Sequence, residues 1–362
     1  MNQEVYKPSY LFWSKLISAI IKPFFLLFNR HKIISTPFSV EDINTILVTE
    51  YHRIGDMIMS TSALRVIKHA FPNSKLILVT NPDAIQLAEN MALADVIIGF
   101  SSPWTNWDWS LPRWKDAIAF GVKLRQFEID LAIDFKGDMR NNWFLWLTTS
   151  KNRVGYDATG GSFFLTHSFQ FPFTLHQSQR SLQLLSHLKM SLLKSKRSKN
   201  NDHVSKTGKI VLHPGASDPN RGWPNKHWVE LIKQLYDNYS LAIVKVPELE
   251  KMCNEIIRQV PDIEVFTGSL AEFYNWLKNQ RMLIGPDSMA GHLAAYVGVP
   301  TVTIFGSQNP SLTKPIGENA IVICPTVPCN HNRNHWRLCK DCMKNVTTLM
   351  VYETIKSIES TT

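Results

Sequence analysis

Short apolar runs recur along this chain at intervals too wide for hairpins. TILVTE (45–50), KLILVT (75–80), ADVIIGF (94–100) and LAIDF (131–135) come first. KIVLHPG (209–215), LAIVKV (241–246), IEVF (263–266), MLIGP (282–286) and TVTIFG (301–306) follow. Helical spacing fills the gaps, as in Met57, Ile58, Leu64, Ile67 and Phe71. Continuous apolar strands alternating with helices predict an α/β chain whose parallel sheets are covered on both faces. The runs fall into two groups. Between them, KMSLLKSKRSKNNDHVSKTGK (189–209) carries seven Lys or Arg, one Asp and no aromatic residue, the composition of a linker or exposed loop.

The expected organisation is therefore two doubly wound domains, residues 40–188 and 209–345, joined by a basic linker at 189–208 and closed by a helix at 346–362. A length of 362 residues gives each domain enough chain for its own core. The 39 Lys and Arg against 30 Asp and Glu leave a net charge of +9, which favours anionic partners: nucleic acid, an acidic membrane or phosphorylated substrates. Residues 1–35 form a separate segment. Tyr10 to Phe28 is apolar, but Lys15, Lys22 and Pro23 interrupt it, short of a uniform spanning helix. Its aromatics and flanking cations suit a segment lying on a membrane surface; the alternative is a helix packed on the protein body.

Three motifs follow strands. In HRIGDMIMSTSAL (52–64), Asp56 stands where a helix begins, either as an N-cap or as an ionised carboxylate available to take a proton. HPGASDPNRGWP (213–224) places Ser217 and the Arg221 guanidinium beside small residues, a set that suits phosphate. GPDSMAGHLAAYVGVPTVTIFG (285–306) begins a helix at Asp287 and Ser288, with Gly291 and His292 one turn on. A lone histidine there is more often a packed residue.

Taken in order, HRIGDMIMSTSALRVIKHAFP, DLAIDFKGDMRNN, RVGYD, VLHPGASDPNRGWP and IGPDSMAGHLAAYVGVPTVTIFG resemble glycosyltransferase family 9, the bacterial ADP-heptose:lipopolysaccharide heptosyltransferases, over about residues 44–345. The resemblance implies a GT-B fold, two Rossmann-like domains facing a central cleft, and inverting transfer without a metal. The sequence agrees in having no Asp-x-Asp. By the resemblance Asp56 is the catalytic base. Ser217, Arg221, Asp287, Ser288, Gly291 and His292 fall on donor-binding positions, Arg221 where Lys is frequent, and Glu248 or Glu250 would take the ribose hydroxyls. Arg65, Lys136 and Arg140 would hold anionic groups of the acceptor; solvated surface charge is their plainer role. The four tryptophans of SSPWTNWDWSLPRWKD (101–116) would face acceptor or membrane, or pack inward.

Cys324, Cys329, Cys339 and Cys342 lie within nineteen residues and include one CxxC. Four thiolates would suit a structural zinc or iron ion, with His331 and His335 as spare ligands; reduced or partly paired thiols are the alternative. Catalysis requires no cofactor in this reading. The expected partners are a nucleotide-sugar donor, a lipid-linked anionic oligosaccharide and the inner-membrane surface, with the protein peripheral on its cytoplasmic face. No nucleic acid is expected. A sugar-nucleotide epimerase on the same fold, or a non-enzymatic basic binding protein, are the rivals.

Overall fold

The strands of the first half form one parallel sheet. They are β1 (Thr45–Glu50), β2 (Lys75–Thr80), β3 (Val96–Gly99), β4 (Leu131–Asp134), β5 (Asn152–Tyr156) and β6 (His167–Phe169), in the order β3-β2-β1-β4-β5-β6. The computed structural model describes residues 3–28, 42–105, 107–188, 208–246, 249–260, 262–327, 329, 331, 335 and 339–361. The second half repeats the plan with β7 (Ile210–Leu212), β8 (Leu241–Val244), β9 (Glu264–Phe266), β10 (Met282–Pro286), β11 (Thr301–Ile304) and β12 (Ala320–Ile323), ordered β12-β11-β10-β7-β8-β9. In each sheet the order reverses beside the first strand, the switch point at which doubly wound folds bind ligands beyond the strands' carboxyl ends. Asp56 and Lys136 follow β1 and β4, and Ser217 and Asp287 follow β7 and β10; all four sit at such ends.

Residues 6–195 and 196–362 separate as two units, with residues 1–5 belonging to the second. The apolar runs form the two cores. Leu47, Ile77, Val79 and Ala132 pack with Phe100, Trp104 and Phe144 in the first. Ile210, Leu212, Ile284 and Val302 pack with Trp223 and Trp228 in the second. The terminal helix Thr348–Thr361 adds Val351, Ile355 and Ile358 to that second core.

The N-terminal segment forms one helix, Pro8–Phe28, docked on the first unit. Ser14 and Ser18 face inward, and Ser18 Oγ accepts from Gly161 N at 2.8 Å. Phe25 meets Trp146, Phe163 and Phe164 near the helix's other end. The helix is packed on the body, while Phe12, Trp13, Leu16, Ile17, Ile20, Ile21, Phe24 and Leu27 form an exposed apolar stripe. By length and composition the stretch Pro8–Leu27 also suffices to cross a membrane. The tryptophan loop divides similarly: Trp104 is buried and donates to Asn141 Oδ1 at 2.8 Å, while Trp107 and Trp109 are exposed.

Candidate active site

In the first unit, β1 carries the chain to Glu50, buried at the sheet's carboxyl end, and the helix Ile54–Ala70 starts four residues later. Arg53 holds the N-cap position and makes no side-chain cap bond. Asp56 lies in the first helical turn, where the helix dipole favours an anion, but it does no capping. Its Oδ1 accepts from Gln177 Nε2 at 2.8 Å, and its Oδ2 lies 3.2 Å from Lys136 Nζ. The side chain keeps 20% exposure. Burial, the largest single influence, pushes the Asp56 carboxyl up, but Lys136, His52 and Gln177 together hold it below the usual range. The group is an oriented, ionised carboxylate at the surface of the strand ends.

The sequence DFKGD builds the lysine's position. Asp134, fully buried at the end of β4, accepts from Thr49 Oγ1 at 2.8 Å, Asn141 Nδ2 at 3.0 Å and the Lys136 amide at 2.9 Å. Gly137 then turns at φ +72°, where a Cβ would meet Tyr156 at 2.9 Å, so only glycine takes the chain past that ring. Tyr6 Oη donates to the Lys136 carbonyl at 3.1 Å, and Tyr10 Oη lies 3.4 Å from Asp138 Oδ2.

Lys136 Nζ is also 3.3 Å from Glu50 Oε1. Burial is the largest influence on Glu50 and pushes its carboxyl up to about 8, despite the lysine. At neutral pH Glu50 is therefore mostly protonated, and one cation faces one anion, Asp56. Burial, then Lys136, pushes His52 down to about 3, so it is neutral. Its 3.8 Å approach to Glu50 is neither an ion pair nor a hydrogen bond. Arg180, 6% exposed on the helix Gln177–His187, lies 4.9 Å from the Phe171 ring. Its Nη1 is buried without a hydrogen-bond partner among the described residues.

The three expected acceptor residues diverge. Lys136 belongs to the carboxylate assembly. Arg140 is clamped by Asp138, Nε to Oδ1 at 2.8 Å and Nη2 to Oδ2 at 2.7 Å, and lies against the Tyr10 and Trp107 rings. Arg65 is exposed on the Ile54–Ala70 helix. Glu50, Gln177 and Arg180 lie outside the quoted motifs, and His52 opens HRIGDMIMSTSAL without a feature that singles it out. Only Glu50 leaves a trace, a charge closing the apolar run TILVTE.

In the second unit, Asp218 caps the short turn Pro219–Arg221, and Arg221 Nη1 lies 3.2 Å from Asp287 Oδ2. Asp287 is 7% exposed, and its amide donates to the Ile304 carbonyl at 3.1 Å. Ser288 holds the N-cap position of the helix Met289–Val297, but its hydroxyl makes no cap bond. Its Oγ is buried without a partner among the described residues. A buried donor beside a helix N-terminus is a costly arrangement unless a ligand completes it. The helix thus begins where expected, with Asp287 paired to Arg221 and Ser288 at the N-cap position without a side-chain cap bond. Gly291 serves packing, since a Cβ there would meet Thr303 Oγ1 at 3.0 Å and Pro315 at 3.1 Å. His292 is buried on the same helix, and Ser217 is exposed. Glu248 lies outside the described residues. Glu250 opens the helix Glu250–Gln259 and pairs with Lys245 at 2.9 Å.

An ionised carboxylate thus stands beyond one doubly wound sheet, and an Arg221–Asp287 pair beside the Ser288 hydroxyl stands beyond the second. The family model described as glycosyltransferase family 9 (heptosyltransferase) matches residues 117–341. Lipopolysaccharide heptosyltransferase 1 of Pseudomonas aeruginosa is 24% identical over 301 residues, 78% of this chain and 84% of that protein. Lipooligosaccharide heptosyltransferase 2 of Campylobacter jejuni is 24% identical over 319 residues, 84% of this chain and 95% of that one. The structure of the E. coli heptosyltransferase WaaC with ADP-2-deoxy-2-fluoro heptose aligns at TM-score 0.69 and 20% identity, over 86% of this chain and 99% of that chain. The family 9 structure from Veillonella parvula aligns at TM-score 0.72 and 16% identity, over 90% and 100%. The protein is a glycosyltransferase with the GT-B fold. It belongs to glycosyltransferase family 9.

Proposed function

We propose that this protein transfers a heptose, with inversion and without a catalytic metal, from ADP-heptose to the core of a lipopolysaccharide or a similar cell-envelope acceptor. The observation that carries the reading is the Asp56 carboxylate, kept ionised by Lys136 and aimed by Gln177. Asp56 takes the proton of the acceptor hydroxyl as that oxygen bonds to the anomeric carbon. The bond from that carbon to the diphosphate breaks with its electron pair leaving on the phosphate oxygen, through an oxocarbenium-like transition state. Arg221, Ser288 Oγ and the first amides of the Met289–Val297 helix take up that charge. The buried cation Arg180, with an idle Nη1, suits an acid group on the acceptor.

The acceptor's lipid brings in the membrane. The exposed stripe on the Pro8–Phe28 helix supports peripheral binding to the inner membrane's cytoplasmic face. The helix is fastened near one end by Tyr10 and near the other by Phe25, so it lies along the unit, an arrangement that suits an interfacial role better than a spanning one.

The deciding experiment incubates the purified protein with ADP-heptose and truncated lipopolysaccharides and weighs the products. An acceptor heavier by one heptose supports the reading; an isomerised nucleotide sugar formed without acceptor replaces it with epimerisation. Phe12→Asp with Phe24→Asp tests the membrane surface. Binding to anionic vesicles should fall at least tenfold, and undiminished binding would place the contact elsewhere. Deleting the whole helix is a poorer test, because it uncovers Phe163 and Phe164.

A further inference from the structure

The second unit carries a cluster that sugar transfer does not use. The Sγ atoms of Cys329, Cys339 and Cys342 and a ring nitrogen of His331 all lie within 4.8 Å of one another. The Cys329 and Cys339 sulfurs are 3.7 Å apart. A disulfide would need about 2.05 Å. Two thiolates at about 2.3 Å from one tetrahedral ion stand about 3.75 Å apart. The sulfurs are thus spaced as ligands of a shared cation. Cys324, the fourth cysteine of the sequence cluster, is outside the group, and His331 stands in its place.

Three sulfurs and one imidazole select a thiophilic cation over magnesium or calcium. Cys339 is the N-cap residue of the helix Lys340–Lys344, and Cys342 is buried in the middle of that helix.

We propose that Cys329, His331, Cys339 and Cys342 hold one tetrahedral divalent cation, zinc or ferrous iron, which braces the loop carrying Arg221. The route is short. Met343, next to Cys342, is 1% exposed and lies against Gly306, where a Cβ would come within 2.6 Å of its Sδ. Three residues further, the Val346 carbonyl accepts from Trp223 Nε1 at 2.8 Å. Trp223 is two residues past Arg221, and the Lys340–Lys344 helix packs on the Pro219–Arg221 turn. Fixing that helix therefore fixes the base of the loop. The metal is structural; with four protein ligands it has no open position for substrate.

Elemental analysis of the full chain, purified reduced and without chelator, should find about one metal ion per chain and say whether it is zinc or iron. Cobalt exchanged into the site should show the intense visible bands of tetrahedral thiolate coordination. Cys329→Ser and Cys339→Ser should each lower metal content at least tenfold, while Cys324→Ser keeps it whole and His331→Cys restores what His331→Ala loses. Stripping the metal should weaken ADP binding about tenfold, and returning zinc should recover it. A folded protein without metal and without the cobalt bands overturns the site, which the wild-type chain alone can show even if variants misfold. Metal loss in Cys324→Ser overturns the ligand set, and unchanged ADP affinity after stripping overturns the brace. Only the ADP arm rests on the proposed donor role. Absence of sugar transfer with metal content and ADP binding intact would count against that function, not against this site.

Discussion

The two strand-end sites solve opposite problems. Around Asp56, the aspartates are held by internal partners: Gln177 and Lys136 on Asp56, Thr49, Asn141 and the Lys136 and Gly137 amides on Asp134, Arg140 on Asp138, while Glu50 Oε1, His52 Nδ1 and Arg180 Nη1 have no hydrogen-bond partner among the described residues. Around Ser288, one ion pair, Arg221 with Asp287, stands beside a hydroxyl with none. The first region fixes its Asp56 carboxylate before any substrate arrives, which the proposed role of base would require. The second leaves the Ser288 hydroxyl unsatisfied, which the proposed grip on a ligand's phosphates would make use of.

Substitutions can break this contrast. Asp56→Asn should lower kcat about a thousandfold or more, with ADP affinity unchanged by calorimetry; near-normal turnover would remove Asp56 from the chemistry. Arg221→Ala should weaken ADP binding tenfold or more, roughly the worth of a charge-assisted bond, and leave kcat less affected. Ser288→Ala should cost several-fold in ADP affinity and nothing in thermal stability, because its hydroxyl holds no internal bond. A drop in Tm instead would return Ser288 to helix capping.

The pH behaviour sharpens the same comparison. Glu50 titrates near 8 in the folded chain, above its unfolded value, so its contribution to stability is full below about 4.5 and is lost as pH rises through about 8. Over that rise the new anion also competes with Asp56 for Lys136. Activity should change on the alkaline side through about 8, and Glu50→Gln should flatten that limb and raise Tm at high pH by a few degrees. An unchanged alkaline limb in the variant would show that Glu50 does not govern it. Ser217→Ala should matter least: the residue is exposed, and less than about a twofold change in ADP affinity is expected.

The apolar runs made the two-sheet plan readable because central parallel strands are buried on both faces and so carry little else. TILVTE and KLILVT match β1 and β2 residue for residue. The strands that escaped notice are β6, with only HSF, β12, with AIVI among prolines, and β5, whose NRVGY was visible as a family motif but not as a strand. Asp56, Arg221 and Asp287 were visible because each follows a strand within a recognisable loop. Gln177 and Arg180 were not. They reach the Asp56 cluster from a helix about 120 residues further on, and nothing in HQSQR distinguishes an inward face from a solvated one. For Gly291 and His292 the sequence does not separate a ligand contact from a packing residue, because small and polar residues serve both; the structure adds that Gly291 is closely packed and His292 buried.

The phenol of Tyr6 clasps the backbone of Lys136 just before the Pro8–Phe28 helix begins. Were that helix to lie flat in the headgroup layer, as proposed above, the first unit would act as a depth gauge: the Asp56 carboxylate would stand at one fixed height above the lipid, and glycans too short or too long would be passed over by elevation before any question of sugar identity arose.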